Sequence, residues 1–196
     1  MSRNGRGVRH LLEVSDTPTA FGHASPVRIC LVTPFAWSQP HDVNDHVAGV
    51  ARELRARGHA VTVVAPSTRG ADLLAGRRAL LHGETTDVLA VGPAIPVSRR
   101  SQMGVPVGVQ AGLALALAQG SFDVVHGFEP GLPSLSYLAL RDTDALAVAT
   151  FVSPTRLGYP PARSQREKLL ARLDALVALN EPVRQGRGFG DAQELR

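Results

Sequence analysis

The sequence predicts an α/β fold in which helices flank a doubly wound, Rossmann-like parallel sheet. Short apolar runs rich in β-branched residues alternate along the chain with segments of helical periodicity, and most of the loops between them are short. Nearly continuous apolar runs are typical of parallel strands that helices cover on both faces. Because helical crossovers between parallel strands are right-handed, this alternation leads to a doubly wound sheet.

The N-terminal third begins with a segment of different character. Residues 1–26 are rich in Gly, Ser, Thr, Asn and Arg without hydrophobic periodicity, so we expect a flexible tail there. The apolar run 27–33 predicts the first, central strand. Helical spacing of valines then predicts a first helix, with Asp42 as its N-cap and Gly58 just beyond its end. A second strand is predicted over 60–65.

The middle of the chain carries fewer signals. Between residues 67 and 106 only a strand at 87–91 and a short helical piece near Leu73 are predicted. Pro106 is expected to open a helix that runs to Gln119 and is apolar on nearly every face, which indicates a buried helix. The remaining predicted elements are strands at 123–126, 146–151 and 175–179 and helices at 131–141 and 162–172.

Composition and charge exclude several classes of protein. Of the 196 residues 44% are hydrophobic and 19% charged, which is enough apolar material for a core. No apolar stretch reaches the roughly 18 residues of a membrane span. The net charge is +4, and the basic residues are interspersed with acidic ones rather than clustered. Nucleic acid is therefore not an expected partner. The one cysteine, Cys30, lies in an apolar run, which predicts a buried thiol and a cytoplasmic, reducing location.

Ligands of doubly wound sheets bind at the carboxyl ends of the strands. The loops over 34–46, 65–69, 126–134 and 151–159 are therefore the candidate site. A dinucleotide site is not expected, because residues 33–35 (Thr-Pro-Phe) stand where the glycine-rich turn would be. The sequence also contains no Walker A loop and no Cys-x-x-Cys pair.

Several motifs occur together in a fairly specific order. They are Arg28-Ile-Cys-Leu-Val-Thr-Pro-Phe, then Leu54-x-x-x-Gly58-His59-x-Val61, then Phe122-Asp123-Val-Val-His126-x-x-Glu129-Pro130, and then Ala149-Thr-Phe151. This series resembles the N-terminal half of the family 4 glycosyltransferases and, within them, the phosphatidylinositol mannosyltransferase branch. The resemblance covers roughly residues 27–183.

The resemblance implies the N-terminal half of a GT-B fold, with residues 27–196 forming the acceptor-side domain. It implies retaining transfer of a glycosyl group, with mannose as one candidate, from a nucleotide sugar to a lipid or small-molecule acceptor. No further cofactor and no metal are implied. The C-terminal nucleotide-sugar domain is expected to be absent from this chain. The implied partners are a sugar or phosphorylated acceptor and a separate chain that carries the C-terminal domain.

The sequence departs from the family pattern in three of the candidate loops. The family's Gly-Gly pair at the start of the first helix, where backbone N–H groups approach the donor phosphate, is His41-Asp42 here. In the family's His-x-His-Glu-Pro motif, Phe128 stands in place of the second His, and a phenyl ring cannot exchange a proton. Val152 stands in place of the His that commonly follows the Thr-Phe pair. An alternative to an enzyme is therefore a non-catalytic, degenerate transferase module that binds a sugar, a phosphorylated ligand or a partner chain.

The catalytic candidates are Glu129 and His126. Glu129 either hydrogen-bonds a sugar or caps the helix predicted near Gly131, and His126 either lines the cleft or is a satisfied core histidine. The candidates for the rest of the acceptor and donor cleft are His41, Asp42, Asn44, His46, Phe128, Ser134, Val152 and Thr155. A metal site formed by His41, Asp42 and His46 is less favoured than a polar helix start.

Membrane contact is expected to be absent or only peripheral. The resemblance places a basic amphipathic helix where the helix 106–119 is predicted, but that segment has no basic residue. The pair Arg99-Arg100 either binds an anionic surface or acceptor phosphate or is a solvated pair, and the solvated pair is favoured.

Overall fold

The computed structural model of the chain describes residues 25–96, 104–105, 108–131, 134–153 and 163–185. The strands are β1 (Arg28–Val32), β2 (Ala60–Ser67), β3 (Val88–Pro93), β4 (Ile95–Pro96), β5 (Gly104–Val105), β6 (Val124–Phe128), β7 (Leu146–Phe151) and β8 (Ala175–Ala178). The helices are α1 (Asp42–Ala56), α2 (Gly70–His82), α3 (Gln110–Gly120), α4 (Leu135–Asp142), α5 (Arg163–Leu170) and α6 (Glu181–Arg184).

The predicted doubly wound parallel sheet is confirmed. Six strands form one sheet in the order β3-β2-β1-β6-β7-β8, and each neighbouring pair is parallel. The strand order reverses between β1 and β6, where Ile29 pairs with Val124. Strands β4 and β5 form a separate antiparallel pair. In an open parallel sheet the crevice for a ligand opens at such a reversal point.

The central strand β1 contributes to a separate hydrophobic core on each face of the sheet, as side-chain alternation along a strand requires. Cys30 and Val32 lie in a core with residues of α2, α3, α4 and α5. Ile29 and Leu31 lie in a second core with Val43, Val47 and Ala51 of α1. Helix α1 therefore packs on the opposite face from the other four long helices, and its N-terminus points to the carboxyl end of β1.

Helix α2 is the largest difference from the sequence prediction, which contained only a short helical piece near Leu73. The helix has 13 residues. It shows little amphipathic pattern because Leu74 and Leu81 are 67% and 68% exposed, while Gly76 is one of its buried residues. The helix approaches β3 so closely that a Cβ atom at Gly76 would lie 2.2 Å from the carbonyl oxygen of Ala90.

Several predicted boundaries were wrong; β6, for example, ends at Phe128 rather than at residue 126. Strand β2 continues through Pro66 to Ser67, and it does so where its register with β3 shifts, so a proline is tolerated there. Helix α3 begins at Gln110 rather than Pro106, and it is only partly buried, with Leu115 38% exposed. Helix α4 begins at Leu135 rather than residue 131.

The predicted end of α1 is confirmed: Gly58 follows the last turn with a φ of 87°, in the left-handed region that glycine adopts readily. The predicted tail over residues 1–26 lies almost entirely outside the described residues. Thr155 and Pro106 lie outside them as well.

Candidate functional site

The loops predicted to hold the site follow β1, β2, β6 and β7, at the carboxyl ends of these strands. The loop after β1 leads into α1, and the predicted N-cap of that helix is corrected here. His41, not Asp42, is the N-cap: its backbone is extended and its Nδ1 accepts a hydrogen bond of 3.1 Å from the Val43 N–H. The His41 ring also stacks on the Phe35 ring, with 3.6 Å between the two centroids.

Asp42 is the first residue inside the helix and its side chain is 76% exposed. Its Oδ1 lies 2.9 Å from His41 Nδ1. One imidazole nitrogen cannot accept from Val43 and donate to Asp42 at the same time, so the helix cap requires a ring without a proton on Nδ1. Asp42 thus places an acidic side chain at the positive end of the helix dipole, where the resemblance places glycine.

Asn44 fixes the loop between β1 and α1. The Thr33 hydroxyl donates to Asn44 Oδ1 over 2.8 Å, and Asn44 Nδ2 donates to the Ala36 carbonyl over 2.9 Å. Thr33, Ala36 and Asn44 are all buried. The Asn44 amide is thus engaged with the protein through both its oxygen and its nitrogen, which gives it a structural role in shaping the loop.

Two histidines and Phe128 come together on the α1 side of the sheet. The His126 ring stacks on Phe128 with 4.4 Å between centroids, and His46 of α1 meets the same phenyl ring edge-on at 5.8 Å. Phe128 is completely buried. His126 Nε2 lies 2.6 Å from the hydroxyl oxygen of Thr150 on β7. Phe128 therefore fills with packed hydrocarbon the position where the resemblance places a histidine of the reaction centre.

Burial, and to a smaller extent the electrostatic interaction with His46, lowers the pKa of His126 to about 4. His126 is consequently neutral near pH 7. A neutral imidazole can accept or donate a hydrogen bond, but it does not supply a positive charge to a phosphate. The observed bond to Thr150 and the ring stack fit the interpretation of a satisfied histidine at the edge of the core.

Glu129 has an unusual backbone and a buried carboxylate. Its φ is 47°, in the left-handed region, and the residue is 2% exposed. Its Oε1 accepts hydrogen bonds of 2.6 Å from the backbone N–H groups of Val152 and Ser153. Its own N–H donates to the Thr150 carbonyl over 2.9 Å. Glu129 thus fastens the segment that follows β7 to the end of β6.

The predicted alternative in which Glu129 caps the next helix is wrong. Ser134 is the N-cap of α4, and its hydroxyl accepts from the Tyr137 N–H over 3.1 Å. Ser134 is completely buried, so its hydroxyl serves the helix end. The Val152 side chain packs against the core beside α1.

A pocket opens beside the start of α1. The sequence predicted the loops that form it but not all of the residues that line it. It has a volume of about 250 Å³ and is lined by Phe35, Ala36, Gln39, Pro40, His41, Thr68 and Ala94. The loops 34–46 and 65–69 were predicted to hold the site. Gln39 and Thr68 were missed, because nothing in the sequence indicates that these residues, 29 positions apart, meet across two loops.

Within the described residues no group of three His, Cys, Asp or Glu side chains is arranged to hold a metal ion. His41, which was considered as a ligand, is used as the helix cap. Among the same residues, none of the helices combines the length and the apolar character that crossing a membrane requires.

Comparisons with known proteins agree with this architecture. The model of a family described as Glycosyltransferase Family 4 matches residues 43–186. The phosphatidyl-myo-inositol mannosyltransferase of Propionibacterium freudenreichii subsp. shermanii is 33% identical over 159 residues, which are 79% of this chain and 41% of that protein. The proteins of the same name from Mycobacterium leprae and Mycobacterium tuberculosis are 33% and 35% identical, each over 66% of this chain and 32% of the relative. The chain thus spans about two fifths or less of the length of these relatives.

Proposed function

We propose that this chain, which belongs to glycosyltransferase family 4, supplies the acceptor side of a retaining glycosyl transfer that uses a nucleotide sugar as donor. The observation that supports this proposal is the family match over 43–186, which extends from α1 through β6, the strand that borders the switch point, to α6. The named relatives are mannosyltransferases, so mannose is the first sugar to test. The acceptor is a lipid or a small hydroxylated molecule.

The described residues support a role in holding the acceptor more than a role in moving protons. Asn44 and Glu129 fix the loops that border the cleft. His126 is neutral near pH 7, and its Nε2 is hydrogen-bonded to the Thr150 hydroxyl. Phe128 has no group that exchanges a proton. These residues can orient the acceptor hydroxyl toward the donor. Such positioning alone lowers the activation barrier of the transfer substantially.

The donor is proposed to bind mainly to a second domain of the GT-B fold, which would belong either to a longer polypeptide or to a separate chain. His41-Asp42 at the start of α1 makes this side a poor phosphate site. Two effects act together: the His41 imidazole occupies the Val43 N–H, and the Asp42 carboxylate repels an anion.

A second candidate function is a non-catalytic module that binds a sugar, a phosphorylated ligand or a partner chain. The observation that favours it is the complete burial of Phe128 at the position where the family has a histidine that lines the reaction centre. The scaffold of the family would then persist without its chemistry.

We also propose a cytoplasmic location with at most peripheral membrane contact. Cys30 is buried in the core beside α2 to α5, and burial raises the pKa of its thiol well above its usual range, so the thiol is protonated and unreactive. A lone protonated cysteine in a core suits a reducing compartment. No nucleic-acid partner is proposed.

A chimera tests the proposed function. This chain replaces the corresponding N-terminal part of the P. freudenreichii relative, and transfer of labelled mannose to lipid and small-molecule acceptors is measured. Transfer by the chimera, at a lower rate than the parent enzyme, is the expected result. A folded chimera that binds the nucleotide sugar but transfers it to no acceptor would contradict the proposal and favour the binding module. Phe128→His in the same chimera asks whether the missing imidazole limits the rate.

A further inference from the structure

One half of the sheet has no helix over it on the α1 face. Helix α1 packs on β1 and β2, through a core that contains Leu31 and Val63. Helices α2 to α5 pack on the opposite face. Among the described residues, α1 is the only helix whose side chains join the core of its face, so β7 and β8 have no cover there. Parallel sheets are normally covered on both faces.

The uncovered half of the sheet exposes large apolar side chains. Leu146 of β7 and Val177 of β8 are 57% and 42% exposed. Both lie on the α1 face, because their neighbours Ala147 and Leu176 pack in the core of the opposite face. We call this surface the open face; its apolar residues are Val124, Leu146, Val148, Ala175 and Val177. A contiguous exposed apolar patch marks a contact surface.

The N-terminal segment 1–24 is attached next to the open face. The described part of the chain begins at the amino end of β1, the strand beside β6, and Val27 packs against the core of the α1 face. The opposite end differs: α6 buries Val183 against Leu176, on the other face of the sheet. Of the two terminal segments, 1–24 is therefore the one that joins the sheet on the uncovered side.

The composition and length of the N-terminal segment suit this surface. Its large apolar residues are Val8, Leu11, Leu12, Val14 and Phe21. A segment this short cannot form a hydrophobic core of its own, so burial of these side chains needs a surface elsewhere. The chain from Leu12 to Ser25 can span about 40 Å when extended. Strands β1 and β7 are only two strand spacings, about 10 Å, apart.

We propose that residues 8–14 pack on the open face, with Leu11 and Leu12 against Leu146 and Val148, and cover this half of the sheet. A tethered segment has an effective concentration in the millimolar range. It therefore outcompetes a second copy of the chain at micromolar concentration. The inference is independent of the proposed function, because it concerns a face of the sheet and not the loops of the candidate site.

Cross-linking in the full 196-residue chain tests the contact. Leu12→Cys is combined with Leu146→Cys, and the protein is treated with a short bismaleimide. The natural Cys30 does not interfere, because it is buried and its thiol is protonated. The matched control combines Leu12→Cys with Leu81→Cys, which is 68% exposed on α2, on the opposite face. We expect at least about tenfold more intrachain cross-link to position 146 than to position 81, measured by mass spectrometry of tryptic peptides.

A second measurement follows the exposure of the open face itself. Leu11→Asp with Leu12→Asp should release the segment and raise the fluorescence of the apolar dye ANS at least about twofold, since ANS reports exposed hydrophobic surface. Thr17→Asp with Thr19→Asp adds the same charge to the same segment outside its apolar group. This control should leave the dye fluorescence unchanged. Far-ultraviolet circular dichroism checks that all variants fold.

The inference is overturned if positions 146 and 81 cross-link equally to position 12. A cross-link that joins two chains, detected in a mixture of isotopically labelled and unlabelled protein, assigns the open face to a second copy and also overturns it. Dye fluorescence that rises equally in both double variants, or in neither, means that the apolar group does not cover the sheet. The chimera assay tests the proposed function separately from all of these results.

Discussion

Removing the Glu129 carboxylate should destabilise the chain more than its position in a loop would suggest. The carboxylate accepts two backbone hydrogen bonds of 2.6 Å from Val152 and Ser153. A hydrogen bond to a charged group contributes about 1.5–3 kcal/mol. Because both donors are only half-buried and water can partly replace the carboxylate, we expect Glu129→Ala to lower the free energy of unfolding by about 2–4 kcal/mol.

The backbone at this residue gives the prediction a second, independent part. With a φ of 47°, Glu129 lies in a region that costs a residue with a Cβ atom about 1 kcal/mol or more and costs glycine almost nothing. Glu129→Gly removes the same carboxylate as Glu129→Ala but also removes that strain, so it should be about 1 kcal/mol more stable than the alanine variant. Glu129→Gln keeps one acceptor oxygen and should lose the least, about 1–2 kcal/mol.

Urea unfolding followed by circular dichroism measures these differences, with an unchanged m value as the condition for comparison. Glu53→Ala is the control, because Glu53 pairs with Arg57 on the exposed surface of α1 and its loss should change stability by no more than about 0.5 kcal/mol. An alanine variant at position 129 that loses less than about 1 kcal/mol, or a glycine variant no more stable than it, would refute the reasoning.

Three further perturbations have expected outcomes. Gly76→Ala should lower stability by about 1–3 kcal/mol, because the new Cβ meets the Ala90 carbonyl, whereas Gly49→Ala in α1 has room and should raise it by up to about 1 kcal/mol in the same urea assay. The pKa of His126 is about 4 in the folded chain, against an ordinary value of 6.5. Between pH 4 and pH 6.5 the unfolded chain therefore binds more protons than the folded chain. Stability should fall by up to about 3 kcal/mol as pH drops from 6.5 to 4, and urea titrations on His126→Gln should show a flatter dependence. Ser134→Ala should cost about 1 kcal/mol and Ser134→Gly only a few tenths, as thermal unfolding would show.

The family and the sheet could be predicted because the signals for them are local. Cys30 lies in a continuous apolar run, and Val43 and Val47 are spaced one helical turn apart. Both patterns follow from which residues of a strand or a helix are buried. Helix α2 gave no such signal. Its contact with β3 is made by Gly76, a residue that disfavours helices, and its exposed leucines remove the contrast between its faces.

The details of the site depend on contacts between distant segments, and these could not be predicted. His41 is the cap of α1, although Asp is the commoner N-cap and follows it directly in the chain. The stack of its ring on Phe35 is a contact that no propensity scale contains. Glu129 could be singled out by its motif. Its partners at positions 152 and 153 follow only from the pairing of β6 with β7. The catalytic and cleft roles of these residues stay predictions.

The adjacency of β1 and β6 has a consequence for the order of folding. Arg28 at the start of β1 and Asp123 before β6 are hydrogen-bonded across 95 positions, whereas Val27 contacts His59 across 32 and Glu129 contacts Val152 across 23. Closing the longer loop costs more conformational entropy and slows the search for native contacts. Strands β1 to β3 can therefore pair during synthesis, before β6 has left the ribosome. The contacts between β1 and β6 close the longest of these loops, so the crevice at this seam exists only once the two halves of the sheet have joined.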